Sequence, residues 1–140
     1  MARIRVDIPQ NIKLTVILPV RISDINYGNH LGNDALISII HEARVLWLKE
    51  GNYSELKIEN VALIMSDLAV EYKSEAFYGD ELTVDIAVGE VGRVNFDIYF
   101  RVSNQHRAII AKAKTGMVCY DYYLKKVATV PENFKRFLLT

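Results

Sequence analysis

One cysteine, three prolines and seven glycines in 140 residues leave little to staple, break or loosen this chain. Cys119 has no partner for an internal disulfide, and the N-terminus lacks the basic, apolar and small-residue order of a secretion signal, so the expected home is a reducing cytoplasm. Neither sign of charge is in excess: seventeen Lys and Arg balance seventeen Asp and Glu. Without a net field there is nothing to draw in nucleic acid or an anionic membrane surface, and any bound anion must be met locally. No apolar run approaches the roughly 20 residues that span a bilayer. Repeats, low-complexity tracts and linkers are also missing, and the length suits one domain over residues 1–140.

What is present is a composition for a packed core, 51% hydrophobic and 24% charged, expected to be folded from near Lys13 onward. "IKLTVILPVRI", Ile12 to Ile22, is β-branched and partly alternating, a strand that Pro19 confines to an edge or a bulge. Further on, Leu36, Ile39, Ile40, Ala43 and Trp47 recur at helical spacing with Arg44 and Lys49 off the stripe. That pattern predicts a helix of about 17 residues. Gly32 or Asn33 is its N-cap, Asp34 lies in its first turn, and Gly51 with Asn52 stops it. Ile37, Val45, Leu46 and Leu48 widen the apolar surface, which predicts a helix enclosed on more than one side by a sheet.

Four long strand-like runs follow: "VALIMSDLAVEYKSEA", "DELTVDIAVGEVG", "RVNFDIYFRVS" and "RAIIAKAKTGMVCYDYY". The short turns between them favour antiparallel hairpins, since parallel crossovers need a dozen or more residues. "PENFKRFLL" closes the chain as a second helix begun by Pro131. One strand, one long helix and four antiparallel strands make an α+β layout, a five-stranded sheet wrapped around the helix. Open sheet edges in a domain this small predict a homodimer.

Candidate chemistry concentrates in "SDINYGNHLGNDALISIIHEAR", Ser23 to Arg44. Unpaired amide N–H groups at the helix start suit a developing oxyanion, and Gly28 and Gly32 either admit a ligand to the backbone or only permit a tight turn. Three groups are candidate bases. Asp24 stands at the mouth of the helix, with capping or pairing to Arg21 as its other explanation. Glu42 borders the buried stripe, where an ion pair would also account for it. His30 belongs to the residue type that titrates near neutrality, but a turn histidine is more often structural. His41 and His106 carry no signal, Cys119 reads as core, and the "YDYY" tyrosines, Tyr120 to Tyr123, read as packing. Arg93, Arg107, Lys125 and Lys126 are candidates for phosphate contacts.

Asp24, Asn26, "HLGN" at His30 to Asn33, and "EAR" at Glu42 to Arg44 occupy the places of a D-x-D strand end, an H-V-N-N turn and a helical E-A-R. "VEYKSEAFYGDEL" supplies a Y-x-x-x-x-x-x-G-D-x-L segment at Tyr72, Gly79, Asp80 and Leu82, and "ATVPENF" a closing L-P-x-x-F-like piece. In this order they resemble the hotdog-fold acyl-CoA thioesterases of the 4-hydroxybenzoyl-CoA thioesterase family, from roughly Lys13 to Phe134. The resemblance implies hydrolysis of an acyl-CoA or acyl-carrier-protein thioester, with no metal and no cofactor beyond the coenzyme A of the substrate. It implies a dimer, or dimers paired into a tetramer. Tyr27, Gly28, Leu31, Gly32, Asn33 and Arg93 are the implied substrate contacts, with the carbonyl over Gly32 and Asn33. One departure matters: the family's second aspartate is Asn26, and an amide can neither take a proton at neutral pH nor attack a thioester, so it can only position water or carbonyl. "SDINYGNH" is also similar to the D-x-N-P-x-H turn of hotdog enoyl-CoA hydratases, and a lost aspartate also suits a non-catalytic acyl-thioester binder.

Overall fold

A computed structural model describes residues 2–140. Strand β1 (Ile12–Pro19) leads through a 3-10 turn at Ile22–Asp24 to helix α1 (Asn33–Glu50). Strands β2 (Ala62–Tyr72), β3 (Glu81–Val91), β4 (Asn95–Ser103), β5 (Ile109–Asp121) and β6 (Lys126–Val127) follow, and α2 (Glu132–Leu139) ends the chain. All pairings are antiparallel, in the order β1-β3-β4-β5-β2 with β6 on β5. The sheet therefore has six strands where five were expected. The extra one arises because Asp121 Oδ1 accepts the Tyr123 and Leu124 N–H groups at 2.9 Å each, turning the chain back so that Lys126 and Val127 pair with Asp121 and Tyr120. Tyr122 and Tyr123 consequently stand exposed in a turn.

Helix α1 takes the bounds its caps dictate, Gly32 before it and Gly51 after it. Leu36, Ile39, Ile40, Ala43, Trp47 and Leu48 are buried against Leu82, Val84, Ile86, Phe96, Ile98 and Phe100, the inward-facing alternate residues of β3 and β4. The opposite side is not enclosed: Ser38, His41, Glu42 and Val45 are exposed and Ile37 is half-buried. Of the residues that widen the apolar surface, Leu48 is fully buried and Ile37 and Leu46 are half-buried, while Val45 is exposed. Arg44, placed off the stripe by spacing, is instead buried, because Glu55 reaches it from the loop after α1 with Oε2 3.1 Å from Nε. Order also begins earlier than Lys13, for Val6 is buried and its N–H donates to Glu71 Oε1 at 3.2 Å.

Core packing at the far end of α1 is aromatic. Phe134 of α2 meets Tyr53 and Phe96 edge-on at centroid distances of 4.9 and 5.4 Å, and Phe137 stacks on Trp47 at 5.1 Å. Cys119 is fully buried, which pushes its thiol up to about 11 and leaves it protonated and inert at neutral pH. Phe134→Ala empties a fully buried site. It should cost about 3–5 kcal/mol and lower the melting temperature by about 10 °C or more, measured by calorimetry. A shift within a degree or two would show that α2 does not close the core.

Candidate active site

The turn ahead of α1 is a small hairpin, with Ile25 bridged to Leu31. Asn26 is its hub. Its N–H donates to the His30 carbonyl at 3.0 Å, its carbonyl accepts the Asn29 N–H at 3.1 Å, and its Oδ1 accepts the Gly28 N–H at 2.9 Å. Asn29 takes φ of 69°, a left-handed conformation that asparagine tolerates better than most residues. Gly28 is closely approached: a Cβ there would lie 3.1 Å from His30 Nε2 and 3.3 Å from Asn26 Oδ1. Thus Asn26, Gly28 and His30 pack against one another, while Tyr27 is fully exposed at the tip.

Two backbone bonds tie this hairpin to the sheet and to the helix start. Leu31 N–H donates to Ala76 O at 2.8 Å and Gly32 N–H to Asp24 O at 3.0 Å. Gly32 therefore has no amide hydrogen to offer a carbonyl. Leu36 N–H closes the first helical bond to Gly32 O. The amides of Asn33, Asp34 and Ala35 come before that bond and find no acceptor among the described residues.

A cavity of about 230 Å³ opens beside these amides, lined by His30, Leu31, Gly32, Asn33 and Leu36 on one side and by Tyr72 to Ala76 and Ile110 on the other. His30 Nδ1 lies 3.2 Å from the Leu31 carbonyl. A carbonyl only accepts, so in the neutral ring Nδ1 carries the hydrogen and Nε2 keeps a free lone pair. Tyr72 OH donates to the Asn33 carbonyl at 3.0 Å. Partial burial, and after it the negative charge of Asp34, hold that phenol above its ordinary value, so it remains a donor. Lys73 stands at the same cavity, 2.9 Å from Glu71, whose carboxyl it holds below the usual range.

The other expected site residues lie elsewhere. Asp24 is buried with Oδ2 2.9 Å from the Arg21 N–H, capping the 3-10 turn. Asp24 and Glu42 line a second cavity of about 200 Å³ with Ser38 and Ile39, reached from the β1 side of α1. No hydrogen bond or ion pair engages the Glu42 carboxylate among the described residues. Arg93 sits in the β3–β4 turn, where its carbonyl accepts the Val130 N–H, at the end of the sheet opposite the start of α1. Tyr72 and Lys73 were not singled out by residue type. The Y-x-x-x-x-x-x-G-D-x-L segment was the signal for Tyr72. Among the described residues no group of His, Cys, Asp and Glu could hold a metal ion.

A family model described as the thioesterase-like superfamily matches residues 20–138. A 1,4-dihydroxy-2-naphthoyl-CoA hydrolase of Microcystis aeruginosa is 27% identical over 106 residues, 74% of this chain and 76% of that protein. Among solved structures, a 1,4-dihydroxy-2-naphthoyl-CoA thioesterase from Synechocystis superposes with a TM-score of 0.82 at 20% identity, covering 89% of this chain and 94% of that one. A Staphylococcus aureus protein in complex with CoA gives 0.83 at 17% identity, covering 94% and 85%. At those identities the structural likeness speaks for the hotdog fold alone.

Proposed function

From the premise that this chain belongs to the thioesterase-like superfamily and is an acyl-CoA thioesterase, we propose that Asn33 holds the thioester carbonyl through its amide and that His30 activates water. The observation that carries this reading is that both residues line one cavity: Asn33, whose amide at the first position of α1 has no acceptor, and His30, whose Nε2 has no hydrogen-bond partner among the described residues. Water attacks the carbonyl carbon while His30 Nε2 takes its proton. Charge develops on the carbonyl oxygen, where the Asn33 N–H and the positive end of α1 stabilise it. As the intermediate collapses, the C–S bond breaks and the imidazolium returns the proton to the departing thiolate, leaving free acid and thiol. Asn26 holds the hairpin that presents His30, a role an amide fills without ionising.

Coenzyme A is the thiol carrier, and Lys73, which lines the cavity and is paired with Glu71, can donate to an amide carbonyl of the pantetheine arm. An aromatic acyl group is favoured by the relatives named for 1,4-dihydroxy-2-naphthoyl-CoA. Among the described residues no helix is long and apolar enough to cross a membrane, which suits a cytoplasmic enzyme. β2 is an edge strand of eleven residues with Met65 exposed on it, and Val45 is exposed on α1. A second copy pairing along β2 covers both and makes a homodimer. Light scattering should give about twice the 16.0 kDa chain mass, and a monomer at micromolar concentration would contradict this.

Asn33 is the first helical residue, where proline is tolerated because its missing N–H has no intrahelical partner. Gly32 already has φ −67° and ψ 148°, the conformation a residue before proline needs. Asn33→Pro should therefore fold normally and lose kcat by about 100- to 1000-fold on an acyl-CoA, the cost of one oxyanion donor. His30→Gln should fall by a similar factor, and Glu42→Gln should retain activity. Unchanged kcat in Asn33→Pro, or a collapse confined to Glu42→Gln, would move the chemistry to the other side of α1.

A further inference from the structure

The residues before β1 do not continue its line along β3. The chain bends at Gln10, and Val6 is buried with its N–H on Glu71 Oε1 of β2, at the far side of the sheet. Tyr72 reaches the start of α1 through its hydroxyl, so Glu71 beside it points to the outer face. Four strand spacings of about 4.8 Å separate β1 from β2, roughly 19 Å. Six extended residues, from Ile12 back to Val6, reach about 20 Å. The segment is therefore an arm drawn straight across the outer face of the sheet. Val6 accordingly stands outside the helix-side core, as does Ala87, which is outward on β3 opposite Ile12 and fully buried.

The arm does not stop at β2. Residues 2–5 are exposed, Ile4 to 60%, because no further strand of this chain lies beyond Val6 to receive them. Arg3 has no acidic partner among the described residues, and Arg5 meets only Asp7 of the arm itself, at 3.4 Å. On the outward row of β2, Ile64 and its β5 neighbour Val118 are half-buried and outside the helix-side core, an apolar spot on a face otherwise rich in charge. Asp67, on the same row, accepts both Lys114 Nζ and the Gly116 N–H on Oδ1, which leaves Oδ2 free. A bare isoleucine and an unpaired arginine thus have an apolar spot and a spare carboxylate oxygen as complements. Within one chain they do not meet, for Glu71 and Ile64 are about 23 Å apart along β2.

Antiparallel pairing of two copies about Asp67, the middle of β2, removes that separation. It sets Glu71 of one copy beside the partner's Leu63, and a two-fold axis normal to the sheet keeps both outer faces on one side. We propose that the N-terminal arm clasps a second copy of this chain, with Ile4 packed on the partner's Ile64 and the partner's Val118 and Arg3 paired with the partner's Asp67. The assignment rests on the dimer along β2 and adds what strand pairing alone lacks, an apolar contact on the outer face. By symmetry the clasp is made twice in each dimer.

Sedimentation equilibrium from nanomolar to micromolar protein tests this on wild type, on a variant lacking residues 2–5, and on Arg3→Glu, Asp67→Lys and their combination. Removing residues 2–5 should weaken the dimer about 10- to 100-fold, the scale of two isoleucines returned to water. Each charge reversal should weaken it by about threefold to tenfold, and the two together should return it to within about threefold of wild type. Residues 2–5 are exposed, so the deletion and Arg3→Glu keep the fold whatever Asp67→Lys does to Lys114. A dissociation constant within about twofold of wild type after the deletion, or a double variant weaker than either single one, would overturn the clasp and leave the β2 dimer standing. Wild type that stays monomeric at micromolar concentration would remove both.

Discussion

A helix pressed along one side into a curled sheet cannot slide or rotate without exposing the side chains that hold it, so the place of its first turn is set by its core. Leu36, Ile40, Ala43, Trp47 and Leu48 are each at most 2% exposed, and together they seat α1 on the inward residues of β3 and β4. From that seating follows the location of the Asn33 amide. The bonds Leu31 N–H to Ala76 O and Gly32 N–H to Asp24 O then bring the preceding hairpin to the same end of the sheet. A free amide hydrogen at a helix start is ordinary. A free one held at a cavity, beside a histidine with a defined hydrogen, is the product of tertiary burial, and it costs nothing to reorganise when charge develops.

The asparagine at position 26 changes meaning within this frame. As a carboxylate it would be a base aimed at substrate; as an amide it accepts the Gly28 N–H and, through its backbone, holds Asn29 and His30. The capacity to carry a proton passes in the proposed reaction to His30, four residues on in the same hairpin. The other ionisable groups of the segment are occupied or turned away: Asp24 caps the backbone at Arg21, and Glu42 stands on the side of α1 that faces β1.

Sequence periodicity was enough to place α1, its caps and the four long strands, because 3.6-residue and two-residue spacing report directly which face is buried. It was not enough for β6, a two-residue strand produced by the Asp121 turn. Nor could it reveal that Arg44 is buried, since the partner Glu55 comes from a different segment. The site was half legible. Spacing put His30, Gly32 and Asn33 at a helix start, but which amide is free depends on Asp24 O reaching Gly32, and which side of α1 Glu42 faces depends on where β1 runs. Tyr72 and Lys73 join the cavity only because β2 ends beside the start of α1.

A structure of the protein with a ketone analogue of an acyl-CoA, in which a methylene replaces the thioester sulfur, tests the central claim most directly. The account predicts the ketone oxygen about 2.7–3.1 Å from the Asn33 nitrogen, with His30 Nε2 facing the carbonyl carbon through one water. A ketone oxygen lodged instead beside Asp24 and Glu42, with the Asn33 amide still open, would contradict it.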